Sequence, residues 1–109
     1  MKTGDIVLIP FSAADLADTK VRPAVVICET KDTYKDLVVS VISSVVSKTI
    51  AANEILVKPT NTNHLRATSI IKVDRILTIK REEVILRLGK LGITDLTIFK
   101  QKFHTFIDK

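Results

Sequence analysis

One cysteine, one tyrosine and three glycines are all that 109 residues contain of those types, and aromatic residues make up only 5% of the chain. Each scarcity closes off a class of protein. Cys28 alone can form no internal disulfide and no multi-cysteine zinc site, which suits a reducing compartment; in its apolar surroundings it is read as a small packed residue of a strand. With so few aromatics, the base-stacking platforms that dominate single-strand binding modules are scarce. No apolar run approaches the ~20 residues needed to cross a bilayer. Met1-Lys2-Thr3-Gly4-Asp5 is not followed by a signal-peptide pattern, so a cytoplasmic protein without a membrane partner is expected. There is also no glycine-rich phosphate cradle, no internal repeat and no low-complexity tract.

What is present fits one globular domain: 46% apolar and 27% charged residues, enough for a real core. Lys and Arg number 17 against 12 Asp and Glu, a net charge of +5 that favours a polyanionic partner, nucleic acid first, through release of counterions. Short runs rich in Val and Ile predict strands at Asp5 to Pro10, Arg22 to Thr30, Asp36 to Val46, Glu54 to Lys58, Ser69 to Val73 and Arg75 to Ile79. Such close succession predicts a small, strongly bent antiparallel sheet or barrel rather than βαβ units. The runs 37–42 and 69–73 are almost continuously apolar, which predicts cover on both faces. After Lys80 the pattern changes. Arg81 to Leu86 reads as a short helix, and Gly89 and Gly92 break the chain before a second one. From Thr94, a fair N-cap followed by Asp95, a 3.6-residue period runs through Leu96, Phe99, Phe103 and Phe106/Ile107. Two polar stretches remain, Phe11 to Lys20 and Pro59 to Thr68, and in so small a protein such loops draw the search for a site.

Gly4-Asp5-Ile6-Val7, a polar loop, and Arg22-Pro23 running into an apolar strand together resemble the opening of the MazF/PemK family of toxins. Val39-Ser40-Val41-Ile42-Ser43-Ser44 and Ser69 to Ile79 are similar to that family's next two strand motifs. Leu88-Gly89-Lys90-Leu91 ahead of an amphipathic helix is similar to its C-terminal end. The resemblance covers nearly the whole chain, and four motifs in the right order are more specific than any one. It implies a mainly β (α+β) fold, an SH3-like β-barrel with a C-terminal helix, paired as a homodimer that forms an RNA groove. It further implies a metal-independent endoribonuclease acting on single-stranded RNA, without a cofactor, and held inactive by a cognate antitoxin.

Cutting RNA in this way lets the ribose 2′-OH attack the adjacent phosphate, which calls for a proton acceptor, stabilisation of developing oxyanion charge and help for the departing 5′-oxygen. On the resemblance, Arg22 stabilises the phosphorane, since its planar fork is always charged and matches phosphate oxygens. The plain alternative is an arginine laying its stem over apolar neighbours. Ser43 stands where the best-known members carry threonine and retains the hydroxyl that can donate to the scissile phosphate; the alternative is a strand serine bonded to nearby backbone. Lys72 and Asp74, two apart on a strand, share a face, one neutralising charge and the other accepting a proton. A surface salt bridge would explain them equally well. Arg75 then points to the opposite face and is assigned to RNA binding with Lys20, Asp15 and His64. Asp15-Leu16 occupies the place where some members use a loop histidine, and Leu77 the place of a frequent arginine. His104 is read as structural or exposed. Two other readings stay open on the same barrel: a CcdB-like toxin that blocks DNA gyrase without catalysis, and a degenerate nucleic-acid-binding domain.

Overall fold

A computed structural model describes residues 1–12 and 19–108. Strands β1 (Asp5–Ser12), β2 (Thr19–Glu29), β3 (Leu37–Ser43), β4 (Glu54–Val57), β5 (Ser69–Ile79) and β6 (Leu86–Lys90) precede one helix, α1 (Ile93–Ile107). They form a single sheet in the order β4-β5-β3-β2-β1-β6, and every neighbouring pair is antiparallel. Three register irregularities bend it, at Ile6/Val7 against β6, at Val26/Cys28 against β3 and at Ser40/Val41 against β5. Each such bulge kinks its strand and adds right-handed twist, and together they curl the sheet into a half-barrel.

Both faces of the curl are buried, as the continuous apolar runs require. On one face Ile6, Val25, Ile42, Ile71, Val73 and Phe99 form a cluster, with Leu96, Ile98 and Phe103 of α1 packed on it. On the other, Val7, Ile9, Ala24, Val26, Leu37 and Val39 pack beneath Leu77, Ile79 and Val84. Successive residues of β1 and β2 therefore enter different clusters, the period-2 alternation of a strand read twice over. Ser40, fully buried in β3, places its hydroxyl on the Val73 carbonyl at 3.0 Å.

The outer strands β4 and β6 are joined by a loop. The Lys90 N–H donates to the Thr62 carbonyl at 3.1 Å, and His64 Nδ1 donates to the Leu88 carbonyl at 2.7 Å. Asn63, 1% exposed, holds this loop in shape: its side-chain oxygen accepts from the Thr60 and Leu65 amides and its Nδ2 donates to the Lys58 carbonyl.

Six local expectations are corrected. Ser69–Ile79 is one strand rather than two, and β3 stops at Ser43, leaving Val45 and Val46 exposed. Arg81–Glu83 forms only a 3₁₀ turn, and Leu86–Lys90 becomes β6 because the free edge of β1 recruits it, from Asp5↔Lys90 to Leu8↔Leu86. Long-range pairing overrides the local helical preference. Gly89 lies inside that strand rather than at a break. The helix begins at Ile93 with Gly92 at its N-cap, where the Gly92 carbonyl accepts the Leu96 N–H; Thr94 is inside the first turn. Cys28 is exposed, because the irregularity before it turns the end of β2 away from the core.

At the start of β1, Asp5 is 8% exposed and accepts hydrogen bonds from the Lys2 amide at 2.9 Å and Arg87 Nη2 at 3.1 Å. Burial by itself raises the Asp5 pKa, but the Lys2 N–H and the Arg87 guanidinium outweigh it and hold the carboxyl below the usual carboxylate range. A depressed carboxyl contributes stability above its unfolded pKa, and that contribution is lost as pH falls through the folded value. We therefore expect the melting temperature to drop on acidification below about pH 4, and less so in Asp5→Asn, which should melt lower than wild type at neutral pH. Parallel melting-versus-pH curves for the two proteins would contradict this role.

Candidate functional site

Four strands bring one cleft together. Phe11 near the end of β1, Arg22 of β2, Val41, Ile42 and Ser43 of β3, and Lys72 and Arg75 of β5 line an open pocket of about 100 Å³. Since about 10–15 Å³ of such space already holds a water, the cleft has room for a phosphate group. Arg22 sits half-buried opposite Ile9 in the β1–β2 ladder and lines the cleft. The Ser43 Oγ accepts the Val45 N–H at 3.1 Å, which leaves its own hydrogen free to donate outward.

The β3–β5 register decides which β5 side chains join. Ser40 pairs with Ile76, but Val41 pairs with Lys72, so Val73, Asp74 and Arg75 have no partner on β3. That three-residue excursion interrupts the alternation. Lys72 lines the cleft together with Arg75, whereas Asp74 is exposed outside the lining, with Asn53 Nδ2 donating to it at 3.3 Å. The expectation that Lys72 and Asp74 share a face is thereby corrected, and Arg75 takes the place foreseen for Asp74. Charge in the cleft is one-sided. Among the described residues three cations and a hydroxyl line it, no carboxylate does, and neither Arg22 nor Arg75 forms an ion pair.

Over residues 2–107 the sequence matches the family of PemK-like, MazF-like toxins of type II toxin–antitoxin systems. The chain belongs to that family. This is the toxin component of such a system. The solved structure of the Mycobacterium tuberculosis toxin MazF-mt6 is similar, with a TM-score of 0.65 and 17% identity, covering 94% of this chain and 96% of the other. At that identity the likeness speaks for the fold, which is the MazF-like fold that the motifs implied. No curated protein sequence matches the toxin.

The remaining expected site residues of the toxin fall elsewhere. Lys20 is exposed opposite Phe11 in the β1–β2 ladder, beside the cleft mouth but not in its lining. Asp15 lies outside the described residues. His64 does not reach the cleft. It holds a left-handed backbone at φ 55 and spends its Nδ1–H on the Leu88 carbonyl, so it serves the loop that bridges β4 and β6. His104 is exposed on α1. Two residues went unread in the sequence, one lining the cleft and one beside it. Phe11 ends an apolar strand just where the polar loop begins, a position that marks a strand-end aromatic facing a site. Glu54, paired across β4–β5 with Lys72, carried no local signal at all. Among the described residues no helix is long and apolar enough to cross a membrane.

Proposed function

We propose that this toxin is a sequence-specific endoribonuclease that cleaves single-stranded RNA without a metal, leaving a cyclic or 3′-phosphate and a 5′-hydroxyl, and that a cognate antitoxin restrains it. The observation that carries the reading is the convergence of Arg22, Ser43, Lys72 and Arg75 on one cleft. In the attack of the 2′-OH on phosphorus, negative charge grows on the non-bridging oxygens. The Arg22 fork meets two of them, and the Ser43 hydroxyl donates to the same group. Lys72 supplies a compact positive charge beside them and offsets the charge gathering on the departing 5′-oxygen. Arg75 holds the flanking backbone, with Lys20 extending the positive path outside the cleft. Phe11 offers an apolar face to a neighbouring base. Asp74 is held by Asn53 outside the cleft lining, so in our reading water takes the 2′-OH proton as the P–O2′ bond forms, and water returns a proton to the 5′-oxygen as the P–O5′ bond breaks.

The working unit in this reading is a homodimer, supported by the exposed apolar side chains Val45, Val46 and Ile50 in the segment ahead of β4 and Leu56 within it. The test is to incubate the purified protein with a long single-stranded RNA in EDTA and map new ends. We expect 5′-hydroxyl ends at a recurring short motif, and a dimeric mass by light scattering at micromolar concentration. Intact RNA would end the ribonuclease reading and leave a gyrase-blocking toxin or a binding domain on the same fold; a monomeric mass would remove the dimer.

A further inference from the structure

Lys72 is the one cation of the cleft with a carboxylate beside it among the described residues. Glu54 Oε2 lies 4.0 Å from Lys72 Nζ, and the two residues face each other directly in the β4–β5 ladder. We infer that Glu54 is a positioning residue for the reaction proposed above, aiming the Lys72 ammonium into the cleft; the inference rests on that ribonuclease reading.

Several observations set this pair apart from an ordinary surface contact. Both side chains are largely covered, 31% exposed for Lys72 and 18% for Glu54. The carboxylate is itself fixed, because Glu54 Oε1 accepts the Ala51 N–H at 3.0 Å while the Glu54 N–H returns to the Ala51 carbonyl. The segment carrying it is tied from two sides. The Asn53 carbonyl accepts the Val73 N–H of β5, and the Ala52 carbonyl accepts from Lys102 Nζ of α1. A rigid anion thus faces a flexible four-carbon stem that, left alone, would spread its charge over many rotamers. At 4.0 Å the contact is at the outer reach of an ion pair. It biases the stem without engaging the ammonium's hydrogens in a close bond, so these stay available to a phosphate oxygen. The arrangement also carries a cost, since an anion next to a polyanion's site weakens ground-state binding. Positioning and repulsion therefore push affinity and rate in opposite directions, which makes them separable.

The experiment compares wild type, Glu54→Gln, Lys72→Met and the double variant. It measures single-turnover cleavage of the preferred RNA and binding of its 2′-deoxy analogue, which cannot be cut. Glu54→Gln keeps the oxygen that accepts the Ala51 amide and loses only the charge. We expect it to bind the analogue at least as tightly as wild type and yet cleave about tenfold more slowly, a size typical of coupling between contacting groups. Glu54→Asp should recover part of that rate. In the Lys72→Met background the same substitution should change the rate less than about twofold, and if that background is too slow to time, the same cycle is read from analogue binding. An equal loss with and without Lys72, or a Glu54→Gln that cleaves as fast as wild type, would overturn the inference. Wild-type protein that leaves the RNA intact would instead overturn the ribonuclease reading itself.

Discussion

Arg22→Ala is expected to slow single-turnover RNA cleavage by about 10²–10³-fold, the loss seen when one preorganised donor to a developing oxyanion is removed. Arg22 is placed for such an effect. It is held on β2 just ahead of Pro23 and the buried Ala24–Val26 run, and it lines the same cleft as Ser43 and Lys72. The fold should tolerate the change, since the side chain is half-buried and carries no ion pair among the described residues; about 1 kcal/mol is the ordinary cost of such a substitution. Arg22→Lys should rescue only partly, because a lysine keeps the charge but loses the two-pronged geometry. Cleavage is to be timed beside thermal melting of all three proteins. A Arg22→Ala protein cutting within a few-fold of wild type would remove the residue from catalysis, and one that fails to fold would make it structural.

Gly89→Ala should destabilise the protein by roughly 3 kcal/mol, the upper end of what overpacking a tight interior usually costs. A Cβ at this position would stand 2.4 Å from the Thr62 carbonyl oxygen and 2.9 Å from that of Asn63. Both obstacles are backbone, so relief requires the whole loop to retreat. Its retreat would stretch the Lys90–Thr62 and His64–Leu88 hydrogen bonds and disturb the buried Asn63 that shapes it. Gly92→Ala is the matched control, because a Cβ there meets nothing within 4 Å and the change should cost no more than about 1 kcal/mol at an N-cap. Denaturant unfolding of the two variants measures the difference. Equal stabilities would mean that the loop closes around position 89 far more loosely than the distances say.

Much of this architecture was legible because the strands are buried on both faces. Runs such as Val41-Ile42 and Ile70-Ile71 have no solvated side to disguise them, and Arg22 and Ser43 stand beside such runs. What escaped depends on partners distant in sequence. Arg81 to Leu86 carries local helical chemistry, and nothing near it reveals that an unpaired edge of β1 waits for Leu86–Lys90. Asp74 was expected beside Lys72 and Arg75 away from it because simple alternation assumes an unbroken ladder, whereas the β3–β5 register skips three residues there and Arg75 joins Lys72 in the lining. Glu54 is invisible for the same reason, since its importance lies in a pairing with Lys72 that only the register of β4 against β5 creates. Gly89 looked like punctuation, yet it is the point where two backbones touch.

The pairing of the first strand with the last sets an order of assembly. The Asp5–Arg87 contact joins residues 82 apart in the chain, whereas β1 meets β2 across a short connection and β3 follows directly. A chain made from its N-terminus can lay down β1, β2 and β3 side by side, then add β5 and β4 on the far flank, while one rim of β1 still has nothing to pair with. Contacts of such long sequence separation are slow to form, and a bare strand rim is the part of a nascent sheet most open to a neighbouring copy. Pairing of that rim with β6 has to wait until residues 86–90 have been made, after every strand that lines the cleft.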